Sequence, residues 1–234
     1  ENVFGSGNYL GVELNTSKSS RTLVLSTVDP YFTIDGISRS IDVFYRTTKP
    51  INSQGESYKL VTPGAAVRLG VPFSEFDTVF FGVGLEQTSI KGDVGLPIVY
   101  ANYREEFGET STSMPLTIGW ARDQRDSALV PNEGTYQRVN LDWSIAGDAR
   151  YVRANAQYQH YWPITKKFTL AVNAELGIGK GLAGRRYPIF KNFYGGGLGT
   201  VRAFDQGSLG PPDVTGAYIG GNRRLNLNSE LYVP

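Results

Sequence analysis

The strongest limit on the fold is an alternation of period two that is sustained for about ten residues at a time. It is clearest from Phe168 to Gly179. There Phe168, Leu170, Val172, Ala174, Leu176 and Ile178 share one parity, and Thr169, Ala171, Asn173, Glu175, Gly177 and Gly179 share the other. Successive strand residues point to opposite faces, so this segment reads as a strand with one oily face and one polar or bare face. Val79, Phe81, Val83 and Leu85 stand in the same way against Phe80, Gly82, Gly84 and Glu86. Val139, Leu141, Trp143 and Ile145 alternate with Arg138, Asn140, Asp142 and Ser144, and Arg153, Asn155, Gln157 and Gln159 with Val152, Ala154, Ala156 and Tyr158. Ten such segments are expected. Five lie near Tyr9 to Thr16, Arg21 to Asp29, Ser38 to Thr48, Tyr58 to Leu69 and Thr78 to Thr88, and five near Met114 to Arg122, Thr135 to Ala146, Tyr151 to Tyr161, Phe168 to Gly179 and Asn222 to Val233.

A soluble sandwich would show the same alternation, so periodicity does not decide between it and a membrane barrel. Length does favour one: typical globular strands have about 5 to 6 residues, whereas strands that cross a bilayer need about 10. The connections point the same way. Pro marks every other one, at Asp29-Pro30, Val71-Pro72, Val130-Pro131, Trp162-Pro163 and Val233-Pro234, and alternate connections of a meander share a rim. The other rim carries connections of very uneven length, at Ser17 to Ser20, Lys49 to Ser57, Ser89 to Ser113, Gly147 to Arg150 and Lys180 to Gly221. Short turns on one side and long loops on the other are the asymmetry of outer-membrane barrels. Aromatic residues gather near strand ends, among them Tyr31, Phe32, Phe73, Phe76, Tyr136, Tyr161, Trp162 and Phe168, as interfacial girdles do. The expected class is all-β, an antiparallel up-and-down transmembrane β-barrel occupying residues 1–234.

Composition agrees. Gly 28, Pro 12, Tyr 14 and Phe 12 with a mean hydropathy of −0.25 describe turns and β-formers, and almost no stretch reads as a helix. With 23 basic and 22 acidic residues there is no global field that argues for nucleic acid. Cys 0 excludes disulfides and thiolate metal sites. No run of about 18 apolar residues makes a membrane helix, which says nothing against a barrel. The chain opens mid-pattern at Glu1-Asn2-Val3-Phe4 with no signal peptide, and reads as a piece of something longer.

One segment, Asn192 to Pro211, is too rich in glycine for a strand and too aromatic for a linker. Gly195, Gly196, Gly197, Gly199, Gly207 and Gly210 give a backbone free to take positive φ, and Arg202 lies among Val201, Ala203 and Phe204. A solvated tip has no use for Phe193, Tyr194, Val201, Phe204 and Leu209, so the loop is expected to fold inward, over 180–221, with Arg202 held by a buried acid. In the last segment Leu225, Leu227, Leu231 and Val233 take the oily face. Arg224, Asn226, Asn228, Glu230 and Tyr232 then face inward, and Glu230 is the acid in reach for a charge-assisted pair. The plainer reading leaves Arg202 as a loop cation in water.

Other motifs carry less. Gly179 to Gly184 fits GxGxxG after a strand, but Arg185-Arg186-Tyr187-Pro188 follows where a helix should start, so a flexible loop root is the reading. His160, the lone histidine, has no second His, Cys or acid cluster beside it and reads as interfacial. Arg122-Asp123-Gln124-Arg125-Asp126 is either a solvated turn or a specific structural element.

Taken together, Phe193-Tyr194-Gly195-Gly196-Gly197 through Pro211 resembles the inward loop of the BamA family of outer-membrane β-barrel assembly factors, whose superfamily signature is Val-Arg-Gly-Phe/Tyr. Val201, Arg202 and Phe204 match, and Ala203 replaces the glycine. Similarity continues at Asn2 to Gly7, at Asp29-Pro30-Tyr31-Phe32 with Asp35-Gly36, through Pro131 and Gly134, and at Ser229 to Pro234. The resemblance implies that the ten segments are the third to twelfth strands of a sixteen-stranded barrel, with Glu1 to Gly5 the tail of the second. The periplasmic POTRA domains, the first strand and the last four strands would lie outside this sequence. It implies an Arg202–Glu230 pair, no enzymatic activity and no cofactor. The implied partners are membrane lipids and lipopolysaccharide, nascent outer-membrane barrel proteins, and assembly-complex lipoproteins through the POTRA domains, with no nucleic acid. A two-partner-secretion or TamA-like transporter barrel, a passive porin and a soluble β module are the alternatives.

Overall fold

The computed structural model describes residues 7–17, 20–49, 58–92, 96–197, 199–214 and 216–233. The expected strand tail at Glu1 to Gly5, most of the Asn2-to-Gly7 motif, the greater part of the Lys49-to-Ser57 connection and Pro234 lie outside the described residues. Ten strands form one antiparallel meander in chain order. They are β1 (Tyr9–Thr16), β2 (Ser20–Asp29), β3 (Ser38–Thr48), β4 (Lys59–Pro72), β5 (Asp77–Lys91), β6 (Thr110–Asp123), β7 (Gly134–Gly147), β8 (Tyr151–Thr165), β9 (Phe168–Gly181) and β10 (Arg223–Tyr232). Their order is that of a barrel wall, left unclosed between β1 and β10 among the described residues.

Burial is inverted relative to a soluble protein. On β7, Val139 is 45% exposed and Trp143 52%, while Ser144 is 1% exposed. On β5, Leu85 is 58% exposed and its neighbour Glu86 9%. The oily parity therefore faces out on every strand where the alternation is clear, and the polar parity faces in. In water such a wall would be a continuous apolar patch far beyond what a monomer tolerates; in hydrocarbon it is the favourable arrangement.

The short-turn rim is built at Pro30 to Ile37, Phe73 to Phe76, Gln124 to Glu133 and Lys166-Lys167. Pro163 does not mark the turn as expected. It lies inside β8, where the register with β9 shifts between Pro163 and Thr165, because a residue without an N–H is tolerated at such an irregularity. Pro115 sits at the equivalent break between β6 and β7. On the opposite rim, the Ser89-to-Ser113 connection holds a helix, α1 (Ile98–Phe107), that the sequence reading did not anticipate. Its Val and Tyr content is poor helix material, but Pro97 precedes it and Gly108, at φ 88°, donates its N–H to the Arg104 carbonyl. Packing also holds it: Tyr100 and Tyr103 are buried with Tyr58, Leu60, Ile90 and Ile189 in an apolar cluster beneath this rim.

Because the apolar face is the solvent-contacting one, charge on it is expected to cost more than loss of a polar inner group. Leu141→Arg, near the middle of β7, should lower unfolding stability in phosphatidylcholine vesicles by about 2–4 kcal/mol. Asn140→Ser, one residue away on the polar face, should shift the denaturation midpoint much less.

Candidate functional site

The inner face of β9 ends in Gly177, Gly179 and Gly181, and the loop that follows is seated on them. A Cβ at Gly177 would strike the Phe193 ring, one at Gly179 the Tyr187 ring, and one at Gly181 the Arg185 carbonyl. The first two glycines of the GxGxxG match are thus seats for the Tyr187 ring and the loop backbone, not a phosphate cradle. No helix follows it: a turn at Leu182 to Arg185 leads to a single 3-10 turn at Ile189–Lys191.

Phe193 is the centre of the docking. It is 4% exposed, its ring lies 4.4 Å from the Arg153 guanidinium and 5.7 Å from that of Arg224, and its backbone exchanges two hydrogen bonds with Gly221 at 2.7 and 3.0 Å. Arg224 is held in turn by Glu175 at 2.9 Å and donates to the Tyr194 carbonyl at 3.2 Å. Lys191 donates to Glu86, whose carboxylate also receives Ser113 Oγ at 3.0 Å and Tyr151 Oη at 3.3 Å. The loop therefore spans the polar face from β9 and β10 to β5. It also meets α1: the Tyr100 and Tyr194 hydroxyls are 3.2 Å apart, and the Ile98 N–H donates to Asp213 Oδ2 at 2.7 Å.

Gly195, Gly196 and Gly197 turn the chain toward its tip. Gly196 and Gly197 have φ of 102° and 94°, and a Cβ on either would overlap Asp205 or Gln206. The tip closes on itself: the Gly197 N–H donates to the Val201 and Phe204 carbonyls, and the Gly196 N–H to Thr200 Oγ1. From it Arg202 Nη2 reaches Glu230 Oε1 on β10 at 2.9 Å. The pair is open, with side chains 64% and 33% exposed, and Phe204 is 49% exposed. Burial of the acid and of Phe204 was expected; instead the loop is buried at its root and exposed at its tip. Ala203 has no positive φ, so the backbone there suits any residue and the departure from glycine carries no strain.

The remaining motifs find structural roles. Arg125 makes a two-pronged pair with Asp123 at 2.9 and 2.7 Å and lies 4.7 Å over the Tyr136 ring. Asp126 accepts the Asn132 and Glu133 N–H groups, and these bonds hold its carboxyl below the usual range. His160 faces outward, stacked on Trp162 at 3.6 Å between centroids, with Nδ1 3.0 Å from the Tyr158 hydroxyl. Phe193 was expected to pack inward, but its seat on β9 and the Lys191–Glu86 contact were missed in the sequence; their signal is the bare Gly177-x-Gly179-x-Gly181 parity and an inward acid on β5.

A wall with its oily side outward, crossed within by a docked loop, defines an integral outer-membrane β-barrel. The Omp85 superfamily domain matches residues 2–234, and the chain belongs to that superfamily. It is 35% identical to the outer membrane protein assembly factor BamA of Neisseria meningitidis serogroup B, across 100% of this chain and 31% of that protein. It is 23% identical to BamA of Nitratidesulfovibrio vulgaris, across 98% of this chain and 28% of that protein. The crystal structure of BamA from Haemophilus ducreyi lacking POTRA domains 1–3 superposes with a TM-score of 0.89 at 25% identity, over 100% of this chain and 49% of that one. The chain thus spans about a third or less of these curated relatives.

Two outcomes test the docking. Phe193→Ala should weaken it by about 3–5 kcal/mol, and Gly177→Leu should do the same by occupying the seat. Residues 182–222 would then be cut faster by protease while the β circular dichroism stays unchanged. Burial pushes the Tyr187 phenol up to about 12 and raises Tyr194. An unfolded tyrosine ionises near 10, so docking should be insensitive to pH below about 10 and weaken from there toward about 12. Tyr187→Phe should blunt that loss, read by proteolysis against a phenolate absorbance titration.

Proposed function

We propose that the chain is the barrel portion of an outer-membrane protein insertase, which folds β-barrel proteins into the bacterial outer membrane without enzymatic chemistry. The observation that carries the reading is a loop with the Val-Arg-x-Phe motif folded across the polar face of an Omp85 wall, its Arg202 reaching Glu230 on the strand that follows. The likeness to proteins named as assembly factors supports it. Work in this reading comes from strand pairing. The whole barrel opens at a seam, offers a free edge to the incoming strand, and perturbs the bilayer locally, and the substrate's own hydrogen bonds and apolar burial supply the free energy. Nascent barrel proteins are the substrates, lipids and lipopolysaccharide the surroundings, and lipoproteins bound through POTRA domains the companions. The loop that fills the polar face argues against a passive pore.

An ion pair as exposed as Arg202–Glu230 is worth roughly 0.2–1 kcal/mol, so its role is to place the tip and not to hold the barrel together. In the full-length protein, Arg202→Glu and Glu230→Arg should each lower assembly of a test outer-membrane protein severalfold. Heat-modifiable mobility should show that the barrel is still folded, and the double swap should recover part of the loss. Normal assembly by Arg202→Glu would remove the pair from this function.

A further inference from the structure

Between the docked loop and the inner faces of β3, β4 and β5 lies a cavity of about 440 Å³. Its charge is one-sided. Arg46, Lys49, Arg153 and Lys191 line it against a single carboxylate, Glu86. That carboxylate is already engaged by Lys191, Ser113 and Tyr151, and so offers little to the other cations. Arg153 sits opposite Asp142 in the β7–β8 register and over Phe193, and its buried Nε has no hydrogen-bond partner. Arg46 and Lys49 meet no carboxylate within ion-pair distance among the described residues; the Arg46 guanidinium lies 5.6 Å over the Phe44 ring. Thr48, Thr62, Asn192 and Gln206 add neutral hydrogen-bonding groups, and Phe190 and Tyr194 supply aromatic surface on the loop side.

Cations gathered at a partly enclosed site attract an anion where the local carboxylate is consumed: Lys191 already takes up Glu86, the half-buried Arg153 keeps a buried Nε without a partner, and the more exposed Arg46 and Lys49 have charge to spare. The volume is that of an ordinary small-molecule site. We propose that this cavity binds a small organic anion, a phosphomonoester or carboxylate on a compact aromatic or apolar body. Its charged group meets Arg46 on β3 and Lys49 just beyond the end of that strand, and its body meets Phe190 and Tyr194 on the loop. Arg46, Thr62, Glu86 and Arg153 lie on the polar parity of their strands, so the ligand this cavity suits is a water-borne one and not a bilayer lipid, whose headgroup would approach along the apolar outside. A ligand that touches wall and loop at once binds only the docked loop, and mass action then favours docking. This site is separate from the Arg202–Glu230 contact and does not depend on the assembly function.

The test uses the full-length protein in phosphatidylcholine nanodiscs with para-fluorophenyl phosphate followed by fluorine NMR. Saturable binding is expected, with slower proteolysis within residues 182–222. It should weaken as salt rises from about 0.1 M to about 1 M, where the screening length falls from about 10 Å to about 3 Å. Arg46→Gln with Lys49→Gln should raise Kd by about tenfold or more, and Arg46→Lys with Lys49→Arg should largely retain binding. Neutral para-fluorophenol should not compete. Equal binding of the phenol, an unchanged Kd in the Gln double variant, or no saturable binding at millimolar probe would overturn the proposal. The phenol and salt comparisons use the unaltered protein, so the proposal stands or falls even where a variant does not fold.

Discussion

In hydrocarbon no water is present to satisfy a backbone N–H or C=O, so every such group must bond within the protein. The rest of this structure follows from that requirement. It selects long strands over short ones and pairs each with its sequence neighbours in one unbroken meander. Once the ladder is complete, each side chain is assigned by parity alone. Leu225 and Leu227 on β10, at 66% and 69% exposed, face where lipid would be, while Asn226 between them is 5% exposed. Hydrophobic burial, which builds the centre of a soluble domain, here acts on the outside of the wall.

The inner face then has the opposite difficulty, because it holds charges with limited access to water. Ser26 and Arg68 engage Asp42, Thr117 engages Asp142, and Arg224 engages Glu175. Among the described residues Glu86 finds its cation from the loop, through Lys191. The loop in turn needs the wall, since the aromatic rings that anchor it fit only where β9 carries no side chains. Wall and loop are complementary, and neither local sequence explains itself alone.

The contacts of the loop are unequal. Phe193, nearly fully buried between two arginines on a glycine seat, stands to lose several kcal/mol on truncation. Arg202 and Glu230, well aligned but open to solvent, contribute far less. The residues that match the family motif therefore position the tip, and residues outside the motif hold the loop down. That division explains why the sequence showed Phe193 as an inward aromatic and Arg202 as a paired cation but gave no sign of what Phe193 sits on or of Lys191's partner.

What the sequence determined by itself was everything that depends on parity and chain order. The ten strands, the side that each faces, the two unlike rims and the placing of Glu230 on the inward parity follow from a backbone period of two and need no knowledge of distant contacts. Two local features escaped for the same reason: α1 is poor helix material held between Pro97 and Gly108 by packing against Tyr58 and Ile90, and Pro163 sits at a register shift that only the pairing of β8 with β9 creates. Only the tertiary structure decided the meetings across the polar face. Lys191 and Glu86 are far apart in the chain, and the glycines of β9 are bare because Tyr187 and Phe193 arrive there. Such contacts join residues from distant strands of one curved sheet. They are set by the curvature of the whole sheet and by the volume left inside it, which no single strand encodes.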